Sequence, residues 1–154
     1  MASTLEEELK PSVLERITGY HLRRAYGAVS AGFNRTFAGT GLRQVLFGIT
    51  AIIAANPGIN QGKVAQVLSI KRANMVALIN ELLDMGIIER RTVPTDRRAF
   101  SLHLTEQGTS QFAQWAQQID EHEKELFARF TPGERAILIE LLGRLASTEE
   151  PPVD

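Results

Sequence analysis

The 154 residues include 17 lysines and arginines, 18 aspartates and glutamates and no cysteine, and 44% of them are hydrophobic. This length suffices for one domain with its own core, and the composition is that of an ordinary globular protein. The lack of cysteine excludes disulfides and thiolate metal sites. The acidic N-terminus, MASTLEEELKPS, is unlike a signal peptide, and no apolar run could cross a bilayer, so we expect a cytoplasmic protein with no membrane partner.

Charge is distributed unevenly along the chain. Residues 63 to 98 hold seven bases and four acids, whereas residues 120 to 154 hold nine acids and four bases. A protein that contacts a polyanion with one face has this asymmetry. The same counts also arise by chance among solvated side chains, so they do not decide the matter alone.

Helical periodicity dominates the first third of the chain. Residues 1 to 11 are predicted to form a disordered tail. One long helix is predicted from about Ser12 to Phe37, and Gly39-Thr40-Gly41 ends it. A second helix is predicted from about Leu42 to the Asn56-Pro57-Gly58 turn. The apolar stripe of the first helix consists of Leu22, Tyr26, Val29, Phe33 and Phe37.

Two shorter helices and a hairpin follow. Asn60 is predicted to cap a third helix and Ser69 to cap a fourth, which Gly86 ends in a left-handed conformation. The period then changes to two, which predicts strands over residues 87–93 and 100–105 with Pro94 in their connection. The predicted inward residues are Val64, Val67 and Leu68 of the third helix, Met75, Leu78, Ile79, Leu82 and Leu83 of the fourth, and Phe100, Leu102 and Leu104 of the second strand.

The last third returns to helix. A long apolar stripe runs from Phe112 through Trp115 to Phe130, and Thr131-Pro132-Gly133-Glu134 is a capping box that starts a final helix. Residues 148 to 154 are predicted to be a second disordered tail. Ile137, Leu138, Leu141, Leu142 and Leu145 give the final helix its apolar residues.

This order of elements predicts a mostly α fold with a small β-hairpin wing in a single domain over residues 12–147. A winged helix-turn-helix lobe is expected over about 42–105. A helical dimerisation lobe is expected from about 12–37 and 106–147, since the apolar stripes of these helices are too extensive for a small monomer to cover. We therefore expect a homodimer.

The outer face of the fourth helix is polar and basic at its N-terminal end. It is predicted to expose Lys71, Arg72, Asn74, Ala77 and Glu81. The helix dipole favours phosphate there, and lysine, arginine and asparagine bond to base edges in the major groove. A solvated outer face would have a similar composition, so this helix alone leaves both interpretations open.

The hairpin carries two arginine pairs, Arg90-Arg91 and Arg97-Arg98. Arginines at a loop tip serve no core, and the narrow minor groove is a negative slot that fits a guanidinium. Asp96 can pair with one of the following arginines, and either Arg90 or Arg91 can reach a phosphate. The alternative for residues 96–98 is a surface turn with a weak ion pair.

The segment LSIKRANMVALINELLDMGIIERRTVPTDRRAFSLHLTEQG resembles the core of the MarR (multiple antibiotic resistance regulator) family. The family pattern runs from L-x-x-x-G-[LI]-[IV]-x-R to D-R-R and then L-x-L-T-x-x-G. The matching residues are Leu82, Gly86, Ile87, Ile88 and Arg90, then Asp96, Arg97 and Arg98, then Leu102, Leu104, Thr105 and Gly108.

The resemblance implies a homodimer that binds a pseudo-palindromic operator on double-stranded DNA and represses until a ligand binds. It implies that Asp96 braces the wing and that Arg97 or Arg98 enters the minor groove. Asn74 and Val76 stand where the family often has Ser or Thr, and Ala77 where it often has Arg, which puts the operator sequence in doubt. The full set of predicted DNA-contacting residues is Lys63, Ser69, Lys71, Arg72, Asn74, Ala77, Arg90, Arg91, Asp96, Arg97 and Arg98.

The same resemblance implies an aromatic acid or a derivative as effector, held between the dimer helices and the winged lobe. Arginines beside aromatic rings suit an anionic aromatic compound such as a phenylpropenoic acid or its coenzyme A thioester. Core packing is the alternative, because Tyr26 and Trp115 fall on core stripes. The candidate effector-binding residues are His21, Arg23, Arg24, Tyr26, Arg43, Phe47 and Trp115.

Nothing in the sequence indicates an enzyme or a cofactor. The phosphate-binding and dinucleotide-binding glycine motifs are absent. His122-Glu123 begins like a zinc-protease helix, but Leu126 occupies the place of the second histidine. His21, His103 and His122 fall on three different elements, so no metal site is expected. The alternative function is a winged helix that binds a protein, which would not need projecting arginines.

Overall fold

The computed structural model describes residues 13–94 and 96–147, and residues 96–98 by their backbone only. Both predicted tails therefore lie outside the described residues. The elements are a 3-10 turn (Val13–Arg16), α1 (Thr18–Thr36), α2 (Gln44–Ala55), α3 (Gln61–Val67), α4 (Arg72–Asp84), β1 (Ile88–Val93), β2 (Asp96–Leu104), α5 (Glu106–Leu126) and α6 (Pro132–Ala146). The predicted fold class, mostly helical with one two-stranded hairpin, is confirmed.

The sequence predicted one continuous N-terminal helix from about Ser12 to Phe37. In the structure, Ile17 interrupts this segment. This residue has an extended backbone (φ −97°, ψ 110°) and lies between the 3-10 turn and α1. A β-branched side chain favours that conformation, and Thr18 and Gly19 are weak helix formers. The helical periodicity that continues across the break does not reveal it.

The core lies within the winged lobe and is closed by the end of α1 and the middle of α5. Leu46, Ile49 and Ile53 of α2 belong to one hydrophobic cluster with Met75, Ile79 and Leu82 of α4, and all six are fully buried. Phe33 and Phe37 near the end of α1 and Trp115 of α5 complete the cluster. Burying each such side chain contributes about 1.5–3 kcal/mol, so this cluster determines how α2 and α4 pack.

The turn between α3 and α4 differs from the prediction at two points. Asn60 caps α3 as expected, since its Oδ1 accepts a hydrogen bond from the Lys63 amide (2.9 Å). Val67 is 65% exposed, however, and Ala65 takes the inward position beside Val64. Ser69 does not cap α4: it has a left-handed backbone (φ 51°), and Lys71 is the N-cap residue, without a side-chain bond.

The hairpin pairs Ile88 with Leu104 and Thr92 with Phe100, and its register shifts between Thr92 and Val93. Ile59, just before α3, adds an isolated bridge to Leu102 and so fixes the wing to the rest of the lobe. Leu102 is buried as predicted, but Phe100 is 49% exposed because it lies beyond the edge of the core. Gly86 has the predicted left-handed backbone (φ 70°).

The two C-terminal helices begin at well-defined caps. Thr105 Oγ1 accepts a hydrogen bond from the Gly108 amide (2.8 Å) at the start of α5. The predicted capping box of α6 is present in both directions between Thr131 and Glu134. The sequence predicted an apolar helical stripe that extends to Phe130. The helix itself is shorter, because α5 ends at Leu126 and a turn follows.

The helices outside the winged lobe leave much apolar surface uncovered. Ile137, Ile139 and Leu141 of α6 are each more than half exposed, and α6 has no buried residue. Arg135 attaches α6 to α5 through an ion pair with Glu123 (2.8 Å). None of the helices in residues 13–94 and 96–147 is long and apolar enough to span a membrane.

Candidate nucleic-acid interface

The N-terminal part of α4 presents a basic, solvent-facing surface. Lys71 and Arg72 are exposed at the first turn, and Asn74 and Ala77 are exposed further along. Burial of Met75, Ile79 and Leu82 on the opposite side sets this orientation. The amide groups of the first turn and the two cations all favour an anion, so this end of α4 is suited to bind phosphate. Contact of these residues with DNA stays a prediction.

One residue that the sequence predicted for this face already has an ion-pair partner within the chain. Glu81, in the last turn of α4, forms an ion pair with Arg43, the N-cap residue of α2. Both side chains keep substantial solvent exposure, so the pair contributes little stability by itself. Its consequence is geometric, because it links the start of α2 to the last turn of α4.

The wing is bonded to α4 through its first arginine. Arg90 Nη2 donates a hydrogen bond to Asn80 Oδ1 (3.0 Å), and the Arg90 side chain is otherwise exposed on β1. Arg91 turns the other way and pairs with Glu89 (2.6 Å) on the same strand. Phosphate contact by either arginine stays a prediction.

The remaining predicted contacts lie at the edges of this surface. Lys63 is exposed on α3 and Ser69 is exposed in the turn between α3 and α4. At the wing tip the Asp96 backbone pairs with Val93. The side chains of Asp96, Arg97 and Arg98 lie outside the described residues, so the bracing and minor-groove roles assigned to them stay predictions.

The chain is similar in sequence to a family of known proteins. The family model described as MarR family matches residues 50–99, which span α2 to the wing. A protein of Thauera aromatica, described as a transcriptional regulatory protein for the hcr operon, is 38% identical over 128 residues, covering 82% of this chain and 77% of the relative. The chain belongs to the MarR family.

Two solved structures extend the likeness over nearly the whole of this MarR-family chain. The transcriptional repressor CouR, bound to a 23-mer DNA duplex, is 33% identical with a TM-score of 0.85 over 90% of this chain and 99% of CouR. CouR bound to p-coumaroyl-CoA is 30% identical with a TM-score of 0.81 over 92% and 100%. The chain is accordingly a DNA-binding transcriptional regulator of the MarR type. Its family and relatives are transcriptional regulators rather than enzymes.

The family motif of this MarR regulator is largely structural. Leu82, Ile87 and Ile88 are buried, and Gly86 supplies the left-handed turn between α4 and β1. Arg90 is the exposed member and holds Asn80. Most of the pattern therefore positions the wing against α4, and the arginines are the part that can meet DNA.

The candidate effector residues separate into three groups in this MarR fold. Phe47 stacks on Phe112 (ring centroids 5.6 Å apart) beside the core, and Trp115 is buried in it. Tyr26 is 62% exposed in the single chain, so it is not part of the chain's own core, and its hydroxyl donates to Gln44 Oε1 (3.0 Å) next to Arg43. The other three candidates, His21, Arg23 and Arg24, are exposed on the first half of α1.

Effector binding by any of these residues stays a prediction. Core packing accounts for Trp115, which is buried. Tyr26 of α1 is exposed and bonds to Gln44, the residue that follows the exposed Arg43. His21, His103 and His122 lie on α1, β2 and α5 respectively. Within the described ranges no group of three or more histidines and acids is arranged to hold a metal ion.

Two residues of the interface escaped the sequence analysis. Asn80 is exposed on α4 and bonded to the wing, and helical spacing from Val76 and Ala77 would have placed it on the outer side. Val76, which the sequence indicated only as a departure from the family pattern, is 45% exposed on the same helix. Both lie on the flank of α4 that faces the hairpin.

Proposed function

We propose that the chain is a homodimeric repressor that binds a pseudo-palindromic operator and leaves it when an anionic aromatic effector binds. Such an effector is a phenylpropenoic acid or its coenzyme A thioester. The observation that carries the DNA part is the cationic face formed by Lys71 and Arg72 at the start of α4 together with Arg90 on β1. An operator-binding protein works in the compartment that holds the chromosome, in agreement with the cytoplasmic location expected from the sequence.

The uncovered apolar surface of α6 supports the dimer. Ile137, Ile139 and Leu141 expose more than half of their surface, which is unusual for three large apolar residues so close together on a stable monomer. A second copy of the chain would cover them and set two recognition helices at a fixed spacing. That spacing is what a palindromic operator requires.

Arg43 supports an anion-dependent release mechanism. It pairs with Glu81 of α4, and its neighbour Gln44 accepts the hydrogen bond from Tyr26 of α1. An anionic group that competes with Glu81 for this arginine would loosen the link between α2 and the recognition helix. The relative CouR has been solved both with DNA and with p-coumaroyl-CoA, which makes an aromatic thioester the first effector to test.

Salt-dependent binding tests the DNA assignment. A protein that neutralises about six phosphates loses roughly a thousandfold in affinity between about 50 and 200 mM salt. Replacing Arg97 and Arg98 together by alanine is expected to weaken binding to specific and non-specific duplexes alike. Replacing Lys71, Arg72 or Asn74 is expected to reduce sequence preference, by about 1–3 kcal/mol per lost base contact.

The matched control is the double variant Lys124→Ala with Arg129→Ala, which removes two positive charges near the end of α5 instead of two at the wing. Fluorescence anisotropy measures the affinity of both variants for duplexes taken from the region upstream of the protein's own gene. Normal binding by the double wing variant would refute the role of the wing. Binding without salt dependence would favour the alternative, a winged helix that recognises a protein.

Thermal shift measurements test the effector. The purified protein is titrated with p-coumaroyl-CoA, with the free acid and with coenzyme A as control, and mass spectrometry of the protein as purified shows any ligand it retains. A ligand at a hundred times its Kd stabilises the folded dimer by about 2.7 kcal/mol, so the melting temperature should rise. The effector proposal fails if neither aromatic compound raises it or releases the protein from DNA.

A further inference from the structure

The exposed flank of α4 has an apolar side chain between two polar ones. Arg72, Val76 and Asn80 are four residues apart, so they form one stripe along the helix. Val76 is 45% exposed, while Arg72 and Asn80 are exposed one turn before and one turn after it. The stripe faces the wing, since Asn80 accepts the hydrogen bond from Arg90.

Val76 borders two adjoining clefts on this side of the helix. One cleft, of about 390 Å³, lies between α3 and α4 and is also lined by Arg72. The other, of about 480 Å³, lies between α3, α4 and the hairpin and is lined by Gln61, Gly62, Arg90 and Phe100. Phe100 is itself 49% exposed across this second cleft. The clefts therefore combine cations with a small apolar surface.

Double-stranded DNA offers one apolar group on its base edges, the C5 methyl group of thymine in the major groove. A valine projecting from a recognition helix can contact this methyl group, whereas it cannot bond to a base or a phosphate. The neighbouring cations, Arg72 one turn away and Arg90 across the cleft, can hold the phosphates on either side. Charge and shape at this flank thus fit a thymine-bearing stretch of duplex.

We propose that Val76 is a specificity-determining residue that contacts the methyl group of one thymine in each operator half-site. This inference rests on the proposed operator-binding function and names one base that the site selects. It also accounts for an exposed β-branched residue in the middle of a helix, where valine is neither a good helix former nor buried.

Uracil substitution tests the contact, because uracil differs from thymine only by this methyl group. The probe is the duplex that the wild-type protein selects from a random-sequence pool, with each thymine replaced by uracil in turn. Loss of one buried methyl group is expected to weaken wild-type binding about fourfold at one thymine per half-site. For the Val76→Ala variant, the affinity for the duplex with thymine at that position and the affinity for the duplex with uracil there are expected to agree within about 1.5-fold.

Val67→Ala is the matched control, since Val67 is also exposed but lies on α3. It should keep the fourfold discrimination, and unchanged melting temperatures would show that both variants fold. Equal discrimination by Val76→Ala and wild type, or no uracil penalty at any thymine of a selected duplex, would overturn the inference while leaving operator binding intact. A pool that yields no preferred sequence would instead contradict operator binding itself.

Discussion

Thr105 and Gly108 join the hairpin to α5, and each is needed for a local reason. Thr105 Oγ1 accepts from the Gly108 amide (2.8 Å) and donates to the Gly86 carbonyl oxygen (2.6 Å). A Cβ at Gly108 would lie 1.8 Å from the Ile87 carbonyl oxygen, so only glycine permits this approach. The threonine and the glycine of the L-x-L-T-x-x-G pattern thus hold the hairpin and the end of α4 against the start of α5.

Gly108→Ala is expected to destabilise the fold by about 1–3 kcal/mol or more, because the backbone of Ile87 cannot move aside as a side chain could. Chemical denaturation measures the change in the free energy of unfolding. Gly27→Ala on α1 is the control, since a Cβ there meets nothing within 4 Å. Equal stability of the two variants would show that the start of α5 can shift without cost.

Helix α6 depends on its first turn, because no residue along it is buried in the described chain. The Thr131 amide donates to Glu134 Oε2 (2.8 Å), and the Thr131 hydroxyl donates to the same oxygen (2.9 Å). These bonds, the backbone one first, lower the pKa of the Glu134 carboxyl below its usual value. The carboxylate therefore stabilises the helix start in its charged form.

The pH dependence of this cap has a defined sign. Since folding lowers the pKa of Glu134, its stabilising contribution is complete above the pKa of the unfolded chain and is lost as the pH falls through the folded value. Glu134→Gln, which cannot titrate, should melt below wild type at pH 7 and approach it under acidic conditions. Melting curves across this range would contradict the assignment if the difference between the proteins stayed constant.

The whole molecule has a cationic end and an uncovered apolar end. The cations of α4 and β1 lie on the winged lobe, whereas the exposed side chains of Ile137 and Leu141 lie one turn apart on α6. Covering the apolar end with a second copy would present the cationic surface twice. The affinity for an operator with two half-sites would then depend on dimer formation as much as on the DNA contacts of either winged lobe.

Replacing Ile137 and Leu141 together by glutamate is expected to yield monomers, because two carboxylates cannot be buried unpaired in an apolar interface. Operator affinity should fall at least about a hundredfold as the two half-sites become uncoupled. Ile137→Met with Leu141→Met keeps the surface apolar and serves as control. Light scattering and DNA titration would refute the proposed dimer surface if the glutamate variant stayed dimeric and bound normally.

Sequence patterns predicted features that depend on a few neighbouring residues. The Asn60 cap, the left-handed Gly86 and the capping box of Thr131 with Glu134 are all present. The Ser69 cap failed because Ser69 itself takes the left-handed conformation that ends the preceding helix, and Lys71 then starts α4.

Burial was predicted less well at the margins of the core. Val67, Phe100 and Tyr26 follow the periodicity of buried residues, yet all three are largely exposed. Periodicity identifies the side of an element that faces inward, but not how far the neighbouring elements extend along it. Val67 is the last residue of α3, and Phe100 lies two residues from the buried Leu102 towards the wing tip, so the core stops at these positions before the pattern does.

The sequence by itself determined the order of the elements, most of their caps and the basic character of α4 and the wing, because these follow from periodicity, backbone preferences and hydrogen bonds within a few residues. Only the tertiary structure decided that Arg43 meets Glu81, 38 positions away, and that Arg90 meets Asn80, 10 positions away. It also decided which apolar residues stay exposed, among them Val76 beside the wing. Such contacts depend on the angle and depth at which packed elements meet, and the close packing of α2, α4 and the hairpin sets both.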